Sequence, residues 1–253
     1  MASRATADAP VLARSDYLLR LGDDALVLGQ RLGEWCGHGP VLEVDISLAN
    51  LALDLIGQAT LLLGEAADDG DQLAFHRDVL DFKNCLLVEQ PNGDFAQTIA
   101  RHLLYTTWQH MLLERLVQSS DRFLSEFAHK AVKEIAYHRE LASEWTIRLG
   151  DGTKESGRRM AEGLDWNWRF VPELFEVDQG LEAAIGSGIA PDPRGFEEEY
   201  RSAIGSVLSE AGLETPADQR PILGGRRGHH SEHLGHLLAV MQFLPRAYPD
   251  AKW

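Results

Sequence analysis

Residues 18–35 read LLRLGDDALVLGQRLGEW, and their spacing decides the fold class. Apolar side chains recur every three or four positions, at Leu18, Leu21, Ala25, Leu28, Leu32 and Trp35. This spacing places one apolar stripe along a long α-helix, which we predict to end near the turn at Gly37–Pro40. Asp24 lies beside the stripe, so the helix is predicted to bring an acidic side chain close to the interior.

The same helical periodicity extends over most of the chain, whereas the alternation that marks a β-strand is nearly absent. We predict further long helices over about 43–67, 94–119 and 121–149, and shorter ones over about 72–78, 153–177, 196–211 and 228–243. Two helical hairpins joined by a longer connection are typical of a ferritin-like four-helix bundle. The sequence therefore predicts an all-α protein with such a bundle and additional C-terminal helices.

The domain organisation is inferred from the absence of linkers. No low-complexity segment separates the predicted helices, which favours a single ferritin-like helical domain over 1–253. Within this domain we expect the bundle over about 14–150 and the extra helices over about 153–245. The first residues lack the long apolar core of a signal peptide, and we expect a loose N-terminal tail over 1–13.

The charge of the chain limits its partners. The chain contains 24 Lys and Arg residues against 39 Asp and Glu residues, which gives a formal net charge of −15. A nucleic-acid binder needs a clustered basic surface, and here the arginines are scattered apart from a short Arg226–Arg227 pair. We therefore predict no nucleic-acid partner.

The compartment is predicted from the apolar segments and the cysteines. The stretch from 46 to 63 is almost long enough to span a bilayer, but it carries Asn50, Asp54 and Gln58. We predict that it is a buried helix of a soluble protein, with no membrane partner. The two cysteines form neither a CxxC pair nor a ligand-spaced cluster, which favours a reducing compartment. We expect a cytoplasmic protein.

A bundle of this kind allows a specific test for a metal site. Di-iron carboxylate proteins take one Glu from each of two helices and a Glu-x-x-His motif from each of the other two. Facing positions on consecutive antiparallel helices lie roughly 30 residues apart, because each residue advances a helix by about 1.5 Å. Asp24 and Asp54 have this separation in the first hairpin. In the second hairpin, Glu134 is predicted to face the region of Tyr105.

The predicted ligand set is incomplete. A glycine stands three residues after Asp54, and Tyr137 stands three residues after Glu134, where the motif requires histidine. The third helix offers no carboxylate near Tyr105, and His138 is the imidazole one turn after Glu134. We interpret six residues as vestigial metal-site positions, namely Asp24, Asp54, Tyr105, Glu134, Tyr137 and His138. We expect no catalytic residue and no metal bound by this chain.

Two interpretations of the interior polar residues stay open. In the first, the core is metal-free and its polar side chains satisfy one another by hydrogen bonds. This set comprises Asp24, Asn50, Asp54, Gln58, Tyr105, His110, Glu134 and His138. In the second interpretation, an unorthodox metal site uses His110 or His138 together with the neighbouring acidic residues.

Two further segments are candidates for contact with a partner. The segment 229–236 is rich in histidine, and without further assignable ligands an interface or capping role is favoured over a metal site. The segment 166–170 contains tryptophan and arginine, which often anchor interfaces, although packing against the bundle is an equal alternative. The candidate interface residues are Trp166, Trp168, Arg169, His230 and His233.

Four segments carry a resemblance to a known family. They read YLLRLGDD over 17–24, EQPNGDF over 89–95, ASEWTIRLGDGT over 142–153 and HSEHLGHLL over 230–238. On these segments, which span nearly the whole chain, the sequence resembles the PaaC subunits of the bacterial ring-epoxidising phenylacetyl-CoA monooxygenases, a ferritin-like family.

The resemblance implies a role in aerobic phenylacetate catabolism. It implies a structural subunit whose own metal site is degenerate and which pairs with a homologous PaaA-type catalytic subunit that carries the di-iron centre. A PaaB-type bridging subunit and a reductase that draws on NADPH are implied as further partners. The assembled enzyme epoxidises the aromatic ring of phenylacetyl-CoA with oxygen. Self-association of the chain stays open.

Two other functions remain as alternatives. The first is a self-sufficient ferritin-like di-iron oxidase or oxygenase, with Asp24, Asp54, Glu134 and His138 as unusual ligands. The second is a helical adaptor that presents the tryptophan-bearing helix or the C-terminal helix to another protein, without serving oxygen chemistry.

Overall fold

The computed structural model describes residues 2–249 and 251, and for residues 2–10 it describes only the backbone. Over these residues the chain forms eleven α-helices and no β-strand, so the predicted all-α fold class is confirmed. The helices are α1 Ala2–Gly33, α2 Leu42–Ala66, α3 Gly70–Phe75, α4 Leu86–Glu89, α5 Phe95–Leu116, α6 Arg122–Gly150, α7 Lys154–Trp168, α8 Gln179–Gly186, α9 Glu197–Glu210, α10 Glu232–Met241 and α11 Phe243–Ala247. Short 3-10 turns lie at Val79–Asp81, Val171–Phe175, Pro193–Phe196 and Gly225–Arg227.

The helices are grouped into two compact units. The α5–α6 unit consists of residues up to 17 together with 92–222, and the α1–α2 unit consists of 18–91 together with residues from 223 onward. The prediction that the chain acts as one ferritin-like domain stays a prediction.

Three predicted boundaries differ from the structure. The loose tail expected over 1–13 is helical from Ala2 onward, because alanine, the best helix former, recurs through this segment. The helix expected over 153–177 ends at Trp168, and a 3-10 turn with a proline in its first positions follows it. The last long helix begins at Glu232 rather than Gly228, because Gly228 adopts a left-handed conformation with φ of 80°.

In the α1–α2 unit, the two long helices approach closely where α1 carries glycine. A β-carbon added to Gly29 would lie 3.1 Å from Ile56 Cγ1 and 3.3 Å from the carbonyl oxygen of Ala52. A β-carbon added to Gly22 would lie 2.7 Å from Leu63 Cδ2. The buried side of α2 therefore packs directly on α1.

The C-terminal segment packs within the same unit. Gln242 Nε2 donates to the carbonyl oxygens of Ala74 and Arg77, at 3.0 Å each. A β-carbon on Gly225 would lie 2.4 Å from the carbonyl oxygen of Asn84. This close approach excludes any larger residue, so the 3-10 turn at Gly225–Arg227 is held tightly against the chain near Asn84.

In the α5–α6 unit, α5 is the central helix. It packs against α6, α7 and α9, and it is buried on nearly every side. The helix is capped by Asp94, whose Oδ1 accepts from the backbone N–H of Gln97 at 2.9 Å. Asp121 caps α6 in the same way, since its Oδ1 accepts from the N–H of Leu124 at 2.9 Å. These caps explain why the predicted starts of both helices agree with the structure.

Among the described residues, one helix, α2, is long and apolar enough to cross a membrane by length and composition. Its apolar stretch is 44% buried inside the protein. The core helix of a soluble protein can have the same length and composition, so the absence of a membrane partner stays a prediction.

Candidate functional site

Asp24, the first predicted metal-site position, is completely buried on α1 and is paired with an arginine. Arg226 Nη1 donates to Oδ1 at 2.9 Å, and Arg226 Nη2 donates to Oδ2 at 2.7 Å. The backbone N–H of Cys85 also donates to Oδ1, at 2.7 Å. Such a two-pronged guanidinium–carboxylate pair is strong and directional. A protein cation therefore lies against both oxygens of Asp24, where a metal ligand would need them available.

Arg226 is held in this position by the backbone around it. Its Nη1 also donates to the carbonyl oxygens of Arg20 at 3.2 Å and Lys83 at 3.0 Å. Helical periodicity does not predict this residue as a partner of Asp24, because it lies in a loop outside the periodic helices. The glycine-rich stretch GGRRG over 224–228 was the signal for a turn that approaches other backbone closely.

Asp23, the neighbour of Asp24, is paired with a second arginine. Consecutive helix positions point about 100° apart, so the two carboxylates meet different partners. Arg77 Nη1 donates to Asp23 Oδ2 at 3.0 Å, Arg77 Nη2 donates to Oδ1, and the N–H of Lys83 donates to Oδ2 at 2.8 Å. Burial raises the pKa of Asp23 above its usual range, and the guanidinium of Arg77 opposes that rise.

His230, predicted as an interface residue, has a fully enclosed side chain. Its Nδ1 lies 2.7 Å from Oε2 of the equally enclosed Glu89, and its Nε2 lies 3.0 Å from the carbonyl oxygen of Phe82. A carbonyl oxygen only accepts, so Nε2 carries a hydrogen and donates it. Glu89 also accepts from Asn84 Nδ2 at 2.8 Å and from the N–H of Ser231 at 2.6 Å.

Arg31 connects these groups. Its Nη2 donates to the carbonyl oxygens of Glu89 at 2.8 Å and His233 at 3.0 Å. We refer to the set as the buried ion-pair cluster, formed by Asp23, Asp24, Arg31, Arg77, Glu89, Arg226 and His230. The cluster ties the C-terminal segment to α1 and to the segment before α5. Its arrangement is that of a structural clamp, since every group that would bind a ligand is engaged with another protein group.

In the α5–α6 unit, the predicted positions differ in burial. Tyr105 and His138 are completely buried or nearly so. The side chain of Glu134 is 23% exposed, and its Oε1 lies 3.5 Å from Lys130 Nζ. Tyr137 is 52% exposed and lies on the outer surface of α6. Asp54, on α2 of the other unit, is half-buried.

His102 is a buried residue that the sequence pattern did not single out. It lies on α5, one position from the apolar stripe, and its ring centroid is 5.4 Å from that of His138. Among the described residues, neither of its ring nitrogens has a hydrogen-bond partner. Burial lowers the pKa of His102 well below 6.5, and the nearby His138 and Arg101 lower it further. His102 is therefore neutral at pH 7.

The hydrogen-bonded interior predicted from the sequence has different partners in the structure. Asp24 pairs with Arg226, which was not in the predicted set. Asn50 is exposed on α2. His110 Nδ1 lies 3.3 Å from Arg139 Nη1 and 3.4 Å from Glu114 Oε2, both also outside the set.

A metal site was tested over the part of the chain that the structure describes. It contains no group of three or more His, Cys, Asp or Glu side chains that could hold a metal ion. Asp24 and Asp54 belong to the α1–α2 unit, and the other four predicted positions belong to the α5–α6 unit. The interpretation of these positions as a vestigial metal site stays a prediction.

The candidate interface residues also differ in exposure. Trp166 is exposed, and the guanidinium of Arg169 lies 5.3 Å from the centre of its ring. Trp168 is buried, as is the side chain of His230, so both have little surface to offer a partner. His233 is half-buried. The interface role of this set stays a prediction.

Comparisons with known proteins identify the family. A family model described as Phenylacetic acid catabolic protein, PaaA_PaaC, matches residues 1–253. The chain is 47% identical over 242 residues to the PaaC subunit of the 1,2-phenylacetyl-CoA epoxidase of Escherichia coli (strain K12). That match covers 94% of this chain and 98% of the relative. The chain therefore belongs to the PaaA_PaaC family of phenylacetic acid catabolic proteins.

Proposed function

We propose that this chain is the PaaC subunit of a 1,2-phenylacetyl-CoA epoxidase and acts as its structural, non-catalytic scaffold. The relative that supports this proposal is named as that subunit, and the match covers almost the full length of both chains. The partners we propose are a PaaA-type catalytic subunit that carries the di-iron centre, a PaaB-type bridging subunit and an NADPH-dependent reductase. The place of action is aerobic phenylacetate catabolism in the cytoplasm.

The pairing of Asp24 with Arg226 carries the non-catalytic part of the proposal. A di-iron centre needs carboxylate oxygens that are available to the metal. Both oxygens of Asp24 instead accept from a buried guanidinium, so metal binding there would require Arg226 to leave. An isolated buried arginine is costly, which makes this exchange unfavourable. The residues of this chain therefore do not fit a di-iron centre, and we assign no chemical step to them.

The buried ion-pair cluster supports the scaffold role in a second way. Six of its side chains are charged, or share a proton with a charged group, and most are enclosed. Networks of this kind favour one arrangement of the chain over alternatives only when every member is paired. The cluster connects α1 to residues more than 190 positions later in the chain. A rigid chain of this kind is suited to support a catalytic subunit.

The experiment that tests the proposal uses the full chain with the PaaA-type subunit and reductase of the same organism. Epoxidation of phenylacetyl-CoA with NADPH is expected only when this chain is present, and the isolated chain is expected to bind no stoichiometric iron. Stoichiometric iron and oxygen consumption by the isolated chain would instead support the self-sufficient oxidase. Full epoxidation without this chain would remove the scaffold role.

A further inference from the structure

The outer side of α2 is an exposed apolar surface. We define the α2 face by Leu42, Ile46, Leu53, Gly57, Leu61 and Gly64, which are all exposed. Their spacings of 4, 7, 4, 4 and 3 residues place them on one side of the helix. Leu42 is 70% exposed and Leu53 is 66% exposed. The face extends over about 33 Å, because each residue of a helix advances it by about 1.5 Å.

The α2 face is not needed for the packing of the α1–α2 unit. The opposite side of α2 is buried, and it meets α1 at Gly22 and Gly29. Between 46 and 64 the one charged residue is Asp54, which is half-buried at the margin of the face. Soluble monomers rarely expose a long, uncharged apolar surface without a use for it, and such surfaces mark interaction sites.

A groove continues the α2 face at its C-terminal end. It has a volume of about 390 Å³, and Ile56, Thr60 and Gly64 of α2 form one of its walls. Asp68, Asp69 and Asp71 lie at its other side. The groove is therefore an apolar recess with an acidic margin, and it could receive a side chain that is apolar along its length and basic at its end.

Both ends of the α2 face are acidic. Glu43 and Asp45 flank the first end, and the aspartates of the groove flank the second. Hydrogen bonds from the backbone N–H groups of the preceding turn, first that of Gly39, hold the pKa of Asp45 below its usual range, so it is ionised. No Lys or Arg occurs over 32–76, and the two arginines that bracket this segment belong to the buried ion-pair cluster.

This charge distribution argues against a second copy of the chain as the occupant. If two copies met through the α2 face, a parallel pairing would join like ends, and an antiparallel pairing would join the two different ends. Acidic groups would oppose acidic groups in both arrangements, and such juxtaposition disfavours a partner by several kcal/mol. The complementary surface is an apolar helix flanked by Lys or Arg.

We infer that the α2 face and its groove are the docking surface for a different subunit, which presents an apolar helical surface flanked by basic side chains. The inference rests on the proposed function, which makes the PaaA-type catalytic subunit the occupant. The glycines at 57 and 64 carry no side chain and so let a partner helix approach closely. A strip of about 33 by 10 Å is smaller than the roughly 800 Å² per partner of a standard interface, so neighbouring residues contribute too.

Substitution at the centre of the face tests the inference. We expect Leu53→Arg to weaken binding of the full chain to the catalytic subunit by at least about 100-fold, measured by isothermal titration calorimetry. Leu80→Arg is the matched control, because Leu80 is 75% exposed in the same unit but outside the face. We expect its Kd to stay within about twofold of wild type. Both side chains point to solvent in the free chain, so both variants should fold, as circular dichroism would verify.

A second variant tests the charge complementarity. Asp68→Lys is expected to weaken binding by about tenfold at low ionic strength, and the effect should shrink as salt is added. Asp218→Lys, at an exposed position of the α5–α6 unit, is the matched control with the same change of charge. Unchanged or tighter binding of the Asp68→Lys chain at low salt would overturn the proposed basic partner.

The outcomes separate this inference from the proposed function. If wild type binds the catalytic subunit and Leu53→Arg binds equally well, the docking surface is wrong and the scaffold role survives. If wild type does not bind, both fail. Sedimentation of the wild type as a dimer that Leu53→Arg abolishes would assign the face to a second copy. Flotation of the wild type with phosphatidylcholine–phosphatidylglycerol vesicles, abolished by the same substitution, would assign it to a membrane. Either result overturns the inference.

Discussion

Asp24 and Arg226 lie 202 positions apart in the sequence, yet two hydrogen bonds of 2.9 and 2.7 Å join their side chains within the α1–α2 unit. The pair places a guanidinium cation against a carboxylate that the helix pattern marks as a metal-ligand position. A bundle that neutralises this carboxylate with its own arginine has no use for a metal at that point. The same pair fixes the C-terminal segment to the first helix.

Arg226→Met is expected to destabilise the chain strongly. It leaves Asp24 buried with its guanidinium partner removed, and breaking a buried ion pair from one side costs about 3–5 kcal/mol. Urea unfolding followed by circular dichroism measures the loss. Arg227→Met is the control, because Arg227 is adjacent but exposed, and its cost should be within about 0.5 kcal/mol. Equal costs for the two variants would show that the buried pair contributes little.

The double variant Asp24→Asn with Arg226→Met tests the pairing directly. Asparagine carries no charge that needs compensation, so the double variant should be more stable than the sum of the two single effects implies. A coupling free energy of about 1 kcal/mol or more is expected from the thermodynamic cycle. Strict additivity would mean that the two residues act independently.

His230→Leu is expected to cost about 3 kcal/mol or more. The enclosed Glu89 would lose the group 2.7 Å from its Oε2, while leucine cannot donate to the carbonyl oxygen of Phe82. His233→Leu should cost under about 1 kcal/mol, because the contact of His233 with Arg31 is made by its backbone. Thermal and urea unfolding of both variants provide the measurement. A greater loss for His233→Leu would contradict the assignment of His230 to the interior.

The free energy of unfolding should fall as the pH drops below 6.5, in part because of His102. Its pKa is lower in the folded chain than in the unfolded chain, so protonation favours the unfolded state. The contribution of this one group is at most about 1.4 kcal/mol per pH unit. His102→Leu should flatten the dependence between pH 6.5 and 5, measured by urea unfolding. His229→Leu, at an exposed position, should leave the slope unchanged.

Two glycine substitutions should change stability in opposite directions. Gly29→Ala places a β-carbon 3.1 Å from Ile56 Cγ1 and 3.3 Å from a backbone oxygen of α2, which should cost about 1–3 kcal/mol. Gly205→Ala, in α9, meets no atom within 4 Å and should add about 0.5–1 kcal/mol through helix propensity. Melting temperatures should move down and up accordingly. A gain from Gly29→Ala would show that α1 and α2 can separate at little cost.

The long helices were accessible from the sequence because their signals are local. The helix predicted over 43–67 is observed at Leu42–Ala66, and the one predicted over 121–149 at Arg122–Gly150. Apolar spacing and capping aspartates act within a few residues of each boundary. The breaks after Trp168 and before Glu232 were missed, because short turns depend on single prolines and glycines whose conformations the spacing of apolar residues does not report.

The partners of the buried charges were not accessible in this way. Periodicity marked Asp24 as close to the interior, but it carries no information on which distant loop supplies the compensating cation. His102 was overlooked because α5 is buried on nearly every side, so a single apolar stripe does not describe it. His230 was assigned to an interface, since a histidine-rich helix start looks the same whether or not another part of the chain covers it.

Local spacing of apolar residues was sufficient to establish an all-α chain, the extent of its long helices and a ligand pattern that lacks two histidines. These properties depend on neighbours within one or two helical turns. Only the tertiary structure decided that Arg226 neutralises Asp24, that Glu89 pairs with an enclosed His230 and that one side of α2 stays exposed. Each of these depends on contacts between residues that are distant in the sequence, and burial and charge compensation arise only when the chain has folded.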